Sequence, residues 1–175
     1  MHRLTVSLAV LGLDCRRALV VAAIGAVATT GCVDTSPDRV KLTATIQNVA
    51  LSVTQGSLVT TLGGTFDVEL DVGDLASADA TIQDPPSFQL VQATGQQDLA
   101  TLDAVASGGG FPLTVKSGEK QTVTFTLSDR NTLAAADVTS VCAGTVEIAG
   151  SLTDSLTADR PLAFESSPAT LGGCP

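Results

Sequence analysis

Aromatic and imidazole side chains are almost absent from this sequence. Its 175 residues include no tryptophan, no tyrosine, five phenylalanines and a single histidine, His2. Ser-His-Asp and Cys-His catalysis need a histidine base, and histidine-containing zinc, copper and non-haem iron sites need imidazole ligands. Stacking platforms for sugars or nucleobases need aromatic rings. The sequence therefore predicts a protein that is not an enzyme and that holds no metal or other cofactor.

Positive charge is also scarce. The chain carries 9 Lys and Arg against 18 Asp and Glu, which gives a formal net charge of −9. A nucleic-acid-binding surface needs clustered basic side chains, so no nucleic-acid partner is expected. The 44% of apolar residues is too high for a disordered chain, and the length suits a single folded domain with its own core.

The N-terminal residues have the three parts of a secretory leader. Arg16 and Arg17 precede an apolar run over residues 18–31, which ends in small residues before Cys32. This run is shorter than the roughly 20 residues that a membrane-spanning helix requires. An earlier apolar run over residues 4–13 is separated from it by Asp14 and the two arginines. We therefore predict that residues 1–31 are a signal peptide and not a membrane span.

The end of this leader resembles the lipobox of the bacterial lipoprotein class. Thr29-Thr30-Gly31-Cys32 has small residues, then glycine, then a cysteine, although Thr29 stands where the motif usually has Leu, Val or Ile. The resemblance implies that Cys32 is lipidated and becomes the first residue of the mature chain. It implies a lipid-anchored protein of the bacterial envelope. Val33 follows the cysteine, which favours the outer membrane, facing the periplasm or the exterior.

Removal of the leader changes the composition of the chain. Arg3, Arg16, Arg17 and Asp14 are lost, so six basic and 17 acidic side chains remain and the net charge becomes −11. His2 is lost as well. The mature chain then has no histidine, tryptophan or tyrosine at all, which strengthens the exclusion of imidazole-dependent chemistry.

Two cysteines remain once Cys15 is removed with the leader and Cys32 is lipidated. Cys142 and Cys174 form an even pair in a chain bound for an oxidising compartment, so a disulfide between them is expected. A redox-active pair is the alternative, but the C-x-x-C spacing that it would need is absent. The predicted bridge would hold the C-terminal tail, residues 166–175, against the domain.

Apolar and polar residues alternate with period two along the chain after residue 39. The alternation predicts seven to nine short strands separated by turns every 8–15 residues. A change of phase between Ile46 and Val49 predicts a bulge or turn at Gln47-Asn48. Gly63-Gly64 is expected to interrupt the chain before the next strand, and Ser117-Gly118 to form a turn. The first strand is expected to include the following residues: Val40, Leu42, Ala44 and Ile46.

The number and spacing of these strands are typical of an all-β, antiparallel β-sandwich. In pattern alone the mature chain resembles immunoglobulin-like and fibronectin-like domains. At most one short helix is expected, near residues 131–138, with Asn131 as its N-cap. The predicted organisation is a signal peptide at 1–31, a polar tether at 32–39 and a β-sandwich domain at 40–175.

Acidic residues are concentrated between positions 67 and 79. Asp67, Glu69 and Asp71 alternate with apolar residues and are therefore expected on one exposed strand face. Asp71, Asp74 and Asp79 around Gly73 are a candidate calcium-binding loop, because calcium requires several converging oxygen ligands. A solvated acidic surface is the simpler interpretation.

Two further motifs are judged to be structural. Ser117-Gly-Glu-Lys120 matches the S-x-x-K motif of penicillin-binding proteins, but it is expected in a turn and lacks the partner motifs. The glycines at 108–110 lack the strand–loop–helix context of a nucleotide site. The sequence as a whole predicts a non-enzymatic, lipid-anchored interaction, adhesion or scaffolding module with a protein partner. The alternative is a ligand- or calcium-binding module that uses the acidic residues 67–79.

Overall fold

A computed structural model describes residues 37–157 and 160–174 of the chain. The predicted signal peptide, Cys32 and most of the predicted tether lie outside these residues. Within these described residues, a 3-10 turn (Pro37–Arg39) precedes eleven strands and one helix, α1 (Ala135–Cys142). The strands are β1 (Leu42–Gln55), β2 (Thr60–Val72), β3 (Ala80–Ile82), β4 (Ser87–Gln92), β5 (Gln97–Leu102), β6 (Ala104–Ser107), β7 (Leu113–Val115), β8 (Lys120–Leu127), β9 (Thr132–Leu133), β10 (Val146–Leu152) and β11 (Leu162–Glu165).

Two antiparallel sheets form the domain. The first has the strand order β1-β2-β8-β6, with β9 also paired to β2, and the second has the order β11-β10-β4-β5. A small third sheet joins β3 and β7. Without the three shortest strands, β3, β7 and β9, the first sheet has the A-B-E-D order of immunoglobulin domains, with β1 as strand A and β6 as strand D. The second sheet has the G-F-C order, with β11 as strand G, β4 as strand C and β5 added beside strand C. The predicted all-β antiparallel sandwich with one short helix is confirmed.

The core lies between the inner faces of the two sheets. Phe66 and Phe125 of the first sheet meet Phe88 of the second at ring-centroid distances of 4.8 and 4.9 Å. Phe164 of β11 extends this cluster, with its ring centroid 6.3 Å from that of Phe88. Four of the five phenylalanines in the chain therefore meet at one point, where they join the two sheets.

The phase change predicted in the first strand is a β-bulge. The β1–β2 register shifts between Gln47 and Ala50, and Asn48 has a φ of 54°. Ile46 before the bulge and Leu51 after it are both buried, so the extra residue keeps both halves of β1 facing the core. Val40, however, precedes β1 and is 47% exposed, contrary to the prediction that the strand includes it.

The prediction that Gly63-Gly64 interrupts the chain is wrong. Both residues lie inside β2 and pair with Ser52 and Leu51. Gly64 has a φ of 133°, and a Cβ atom there would lie 2.1 Å from the carbonyl oxygen of Ala50. The glycine allows β2 to stay paired beside the bulge in β1, because only glycine adopts this backbone conformation readily at such close approach.

Gly64→Ala is expected to lower the free energy of unfolding by about 1–3 kcal/mol, because it combines an unfavourable φ with a backbone collision. Gly63→Ala is the matched control, since a Cβ atom at Gly63 meets nothing within 4 Å. It is expected to change stability by less than about 1 kcal/mol. Equal losses for the two variants in urea denaturation would contradict this role for Gly64.

The predicted helix is displaced from its expected position, and Asn131 is not its N-cap. The helix begins at Ala135, and its N-cap residue, Ala134, makes no side-chain capping bond. Asn131 is instead buried, where its amide donates to the carbonyl of Asp103 and its oxygen accepts the N–H of the same residue. Its side chain therefore mimics a strand partner at the point where β5 passes into β6.

The C-terminal tail covers one side of the sandwich. Ser166 lies beside Ile46, and Gly172 lies beside Ser52, both parallel to β1. Gly172 donates its N–H to the carbonyl of Leu51 and accepts the N–H of Val53. The predicted disulfide is present, because Cys174 at the end of the tail is bonded to Cys142 at the end of α1. The outer edge of β1 is therefore paired by residues of the same chain.

Candidate interaction surface

The outer face of the first sheet carries rows of hydroxyl and carboxylate side chains. Asp67, Glu69 and Asp71 project from β2, because Phe66, Val68 and Leu70 alternate with them and are buried in the core. Each carboxylate is paired in register with a polar residue on β8, and two of these partners are threonines, Thr122 and Thr124. The prediction that these three acids share one face is consistent with this alternation and register, and we call them the carboxylate stripe.

One lysine partly neutralises the carboxylate stripe. The Nζ of Lys120 lies 2.9 Å from a carboxylate oxygen of Asp71 and 3.3 Å from one of Glu69. These two carboxylates raise the pKa of Lys120 above its usual value of 10.5. Three carboxylates against one ammonium group leave the face with a local negative charge.

Asp67 is held by two neutral donors. The hydroxyl of Thr124 donates to one of its oxygens at 2.6 Å, and the side-chain amide of Asn48 donates to the other at 2.8 Å. These bonds hold the pKa of Asp67 below its usual value of 3.8. The bulge residue Asn48 thus also orients the end of the carboxylate stripe.

The lowered pKa of Asp67 predicts a contribution to acid sensitivity. The ionised carboxylate favours the folded state, so its contribution is fully present above about pH 4 and is lost as the pH falls through the lowered pKa. Asp67→Asn is therefore expected to flatten the dependence of unfolding free energy on pH below about pH 4. Asp84→Asn, the same change in an exposed loop, controls for net charge. Identical slopes for the wild type and Asp67→Asn would contradict the prediction.

The acids of the candidate calcium loop have separate partners. A carboxylate oxygen of Asp74 accepts a 2.8 Å hydrogen bond from the guanidinium of Arg39, which lowers the pKa of Asp74. A carboxylate oxygen of Asp79 accepts the backbone N–H of Ser117. Among residues 37–157 and 160–174, no group of three or more histidine, cysteine or acidic side chains is placed to hold a metal ion.

Ser117 and Lys120 also have separate partners. The Ser117 hydroxyl donates to the carbonyl of Ala76 at 3.2 Å, whereas Lys120 pairs with the carboxylate stripe. Gly118 has a φ of 75° in the turn that precedes β8, as the sequence predicts. These contacts hold both ends of the turn that leads into β8.

An uncovered backbone edge adjoins the carboxylate stripe. The β6–β8 ladder ends at the pair Ser107–Thr124, although β8 continues back to Lys120. Beyond Ser107 the chain turns away through Gly108–Gly110, and a cleft of about 80 Å³ opens between this loop and β8. The following residues line the cleft: Ser107, Gly108, Gly109, Gly110, Phe111, Leu113, Gln121, Thr122 and Val123. We call this feature the edge cleft.

The acids at 67–71 and the glycines at 108–110 are far apart in sequence, but the structure places the glycines beside β8, which pairs with the strand that carries the acids. Thr122 lines the edge cleft and is also the register partner of Glu69. The edge cleft itself was missed. A glycine triplet directly after a short alternating segment is the signal that a strand ends early there.

Leu58 and Val105 are the most exposed of the large apolar side chains among the described residues; Val40, Val59 and Leu75 are exposed to a smaller degree. Leu58 is 95% exposed at the turn between β1 and β2, and Val105 is 60% exposed on β6. Most hairpin turns carry polar residues, so an exposed leucine at a turn is unusual. Both positions are available for contact with another molecule.

Comparison with known proteins supplies no function. No protein-family model matches the chain, and a search of curated proteins found no similar sequence. Within the part of the chain that the structure describes, no helix is long and apolar enough to cross a membrane.

Proposed function

We propose that this protein is a non-enzymatic, lipid-anchored interaction module of the bacterial envelope, with its sandwich displayed from the outer membrane. The lipobox-like Thr29-Thr30-Gly31-Cys32 supports the anchor. The observation that carries the interaction role is the asymmetry of the sheet edges. The β1 edge is paired by the C-terminal tail, whereas on the other side β6 leaves part of β8 unpaired. An exposed edge accepts partner strands through main-chain hydrogen bonds, and folds without such a role usually cover their edges.

The calcium-binding alternative has less support from the contacts. Asp74 and Asp79 accept hydrogen bonds from Arg39 and Ser117, so a calcium ion would have to displace these donors before it gained their oxygens. The surface charge favours a basic protein partner and disfavours nucleic acid.

The lipid anchor is tested by substitution at Cys32 in the native host. The wild-type chain is expected in the detergent phase of a phase-partition assay, and Cys32→Ala is expected in the aqueous phase. Cys15→Ala is the matched control and is expected to behave like the wild type. Mass spectrometry of the N-terminal peptide is expected to show acyl groups on Cys32. An unmodified Cys32 thiol, or an intact leader, would overturn the anchor.

The interaction role is tested with a photoreactive residue at two edge positions. Cross-links to a partner are expected from Val105, on the open side of the sandwich, and not from Ser52, which lies beside the C-terminal tail. Equal cross-linking from both positions, or none from Val105 in intact cells, would count against an interaction role for the open edge.

A further inference from the structure

We propose that the edge cleft binds an extended peptide segment of a partner protein, which adds as a strand beside β8 and places an arginine or lysine next to Thr122. This inference rests on the proposed interaction function and identifies its contact. Three observations carry it: unpaired backbone groups on β8, a loop of glycines that leaves room beside them, and the negative charge of the neighbouring carboxylate stripe.

The pairing pattern shows which backbone groups of β8 are available. Val72 donates its N–H to the carbonyl of Glu119, and this residue pair continues the β2–β8 register. Bonded and non-bonded pairs alternate along an antiparallel ladder, so Gln121 and Val123 direct their backbone groups toward β2. Lys120 and Thr122 therefore direct their N–H and C=O groups away from β2, and of these two residues Thr122 lines the edge cleft.

No described residue continues the ladder on this side of β8. The last pair is Ser107–Thr124, and the backbone bonds of the following loop do not reach Thr122. An added strand in line with β6 would meet the N–H and C=O of Thr122 directly, and those of Lys120 two residues further on. Within the edge cleft, Thr122 thus offers two main-chain hydrogen bonds, one donated by its N–H and one accepted by its C=O.

Gly109 and Gly110 line the edge cleft and have open space around them. A Cβ atom built at Gly109 or Gly110 meets nothing within 4 Å, and neither residue has a positive φ. The packing of this chain therefore does not explain glycine at these two positions. Glycine also allows a second backbone to approach closely, and this use of glycine is consistent with both positions.

The charge beside the edge cleft selects the side chain. On the outer face, the neighbour of an incoming residue across Thr122 is Glu69, two strand spacings or roughly 9–10 Å from the added backbone. Thr122 is short and exposed, so a long basic side chain can extend over it toward Glu69. A second copy of this chain is a poor occupant, because the mature chain is strongly acidic.

The test uses the purified full chain in detergent micelles and a synthetic heptapeptide, Val-Thr-Val-Arg-Val-Thr-Val. Binding is measured by amide chemical shifts of the isotopically labelled protein. The largest shifts are expected at Thr122 and in Gly108–Gly110. Replacing the arginine of the peptide with glutamate is expected to weaken binding about fivefold, because it exchanges attraction to the carboxylate stripe for repulsion.

Methylated peptides test the strand geometry. An N-methyl group on the arginine removes the donor to the Thr122 carbonyl and is expected to weaken binding about two- to tenfold. An N-methyl group on the preceding valine, whose N–H faces away from β8, is expected to have little effect. Equal affinity for the two methylated peptides would overturn strand addition, even where the glutamate peptide binds more weakly.

A matched pair of glycine variants tests the location. Gly109→Val adds a branched side chain to a residue that lines the edge cleft and is expected to weaken peptide binding about tenfold. Gly144→Val makes the same change at an exposed glycine outside the cleft lining, where a Cβ atom also meets nothing within 4 Å, and is expected to bind like the wild type.

The outcomes separate this inference from the proposed function. If Gly109→Val binds the peptide as well as Gly144→Val, or if the shifts lie at the Leu58 turn, the edge cleft is not the site. A lipidated chain that still cross-links a partner through Val105 would then keep its interaction function. An unmodified Cys32 would overturn the anchor and leave peptide binding at the edge cleft to be judged by its own result.

Discussion

Phe88→Ala is expected to lower the free energy of unfolding by about 3–5 kcal/mol, the largest effect of any single substitution discussed here. Phe88 is 2% exposed, and its ring contacts those of Phe66, Phe125 and Phe164. Truncation removes the transfer free energy of a buried ring and leaves a cavity between the two sheets that neighbouring strands cannot fill. Urea denaturation followed by far-ultraviolet circular dichroism measures the loss.

Phe111→Ala is the matched control for the aromatic cluster. Phe111 is only partly buried and stands outside the four-ring cluster, so less than half of the Phe88 effect is expected. A loss of less than about 1 kcal/mol for Phe88→Ala, with an unchanged denaturant slope, would show that the two sheets do not meet at these rings.

Cys174→Ser is expected to lower the free energy of unfolding by roughly 3–4 kcal/mol on the chain-entropy account of disulfides. The bridge to Cys142 closes a loop with a sequence separation of 32. Its loss also releases the tail that pairs with β1 through Gly172. Hydrogen exchange at the amides of Gly172 and Val53 is therefore expected to accelerate more than exchange in the central strand β2.

Chemical reduction supplies the control for this variant. Reduced wild-type protein, Cys142→Ser and the double variant are all expected to match Cys174→Ser, because each lacks the same single bridge. An additional loss in the double variant, or an oxidised wild type no more stable than its reduced form, would contradict a structural role for the disulfide.

The elements of the sandwich were predictable where burial alternates strictly along a strand. Both halves of β1 and the bulge between them follow from the change of phase after Ile46, because the inner face must stay apolar on both sides of it. The same reasoning gives the wrong prediction at Gly64. A glycine that ends a strand and one that accommodates a neighbouring bulge look identical in sequence, and only the close approach of Ala50 distinguishes them.

The predicted N-cap role of Asn131 is wrong for a similar reason. An asparagine before an apolar, alanine-rich segment is a common helix-capping signal, yet its side chain satisfies the backbone of Asp103, 28 residues earlier. Such long-range bonds leave no local trace. Thr132 and Leu133 then pair with β2 as β9, so the helix begins only at Ala135.

The candidate interaction surface likewise has one part that the sequence predicts and one part that it does not. The carboxylate stripe was predictable, since period two alone places Asp67, Glu69 and Asp71 on one face. The edge cleft was not, because it depends on which strand pairs with β8 and on where that partner stops. Strand partners separated by a whole strand, as β6 and β8 are, cannot be read from local pattern.

The late position of the C-terminal tail has a consequence for biosynthesis. The segment that pairs with β1 lies more than a hundred residues after it along the chain. Ribosomes add about 5–20 residues per second, so the last residue of β1 is synthesised roughly 6–23 seconds before Gly172. Until the tail follows, the outer edge of β1 has no partner from its own chain, which leaves it open to pairing with other copies.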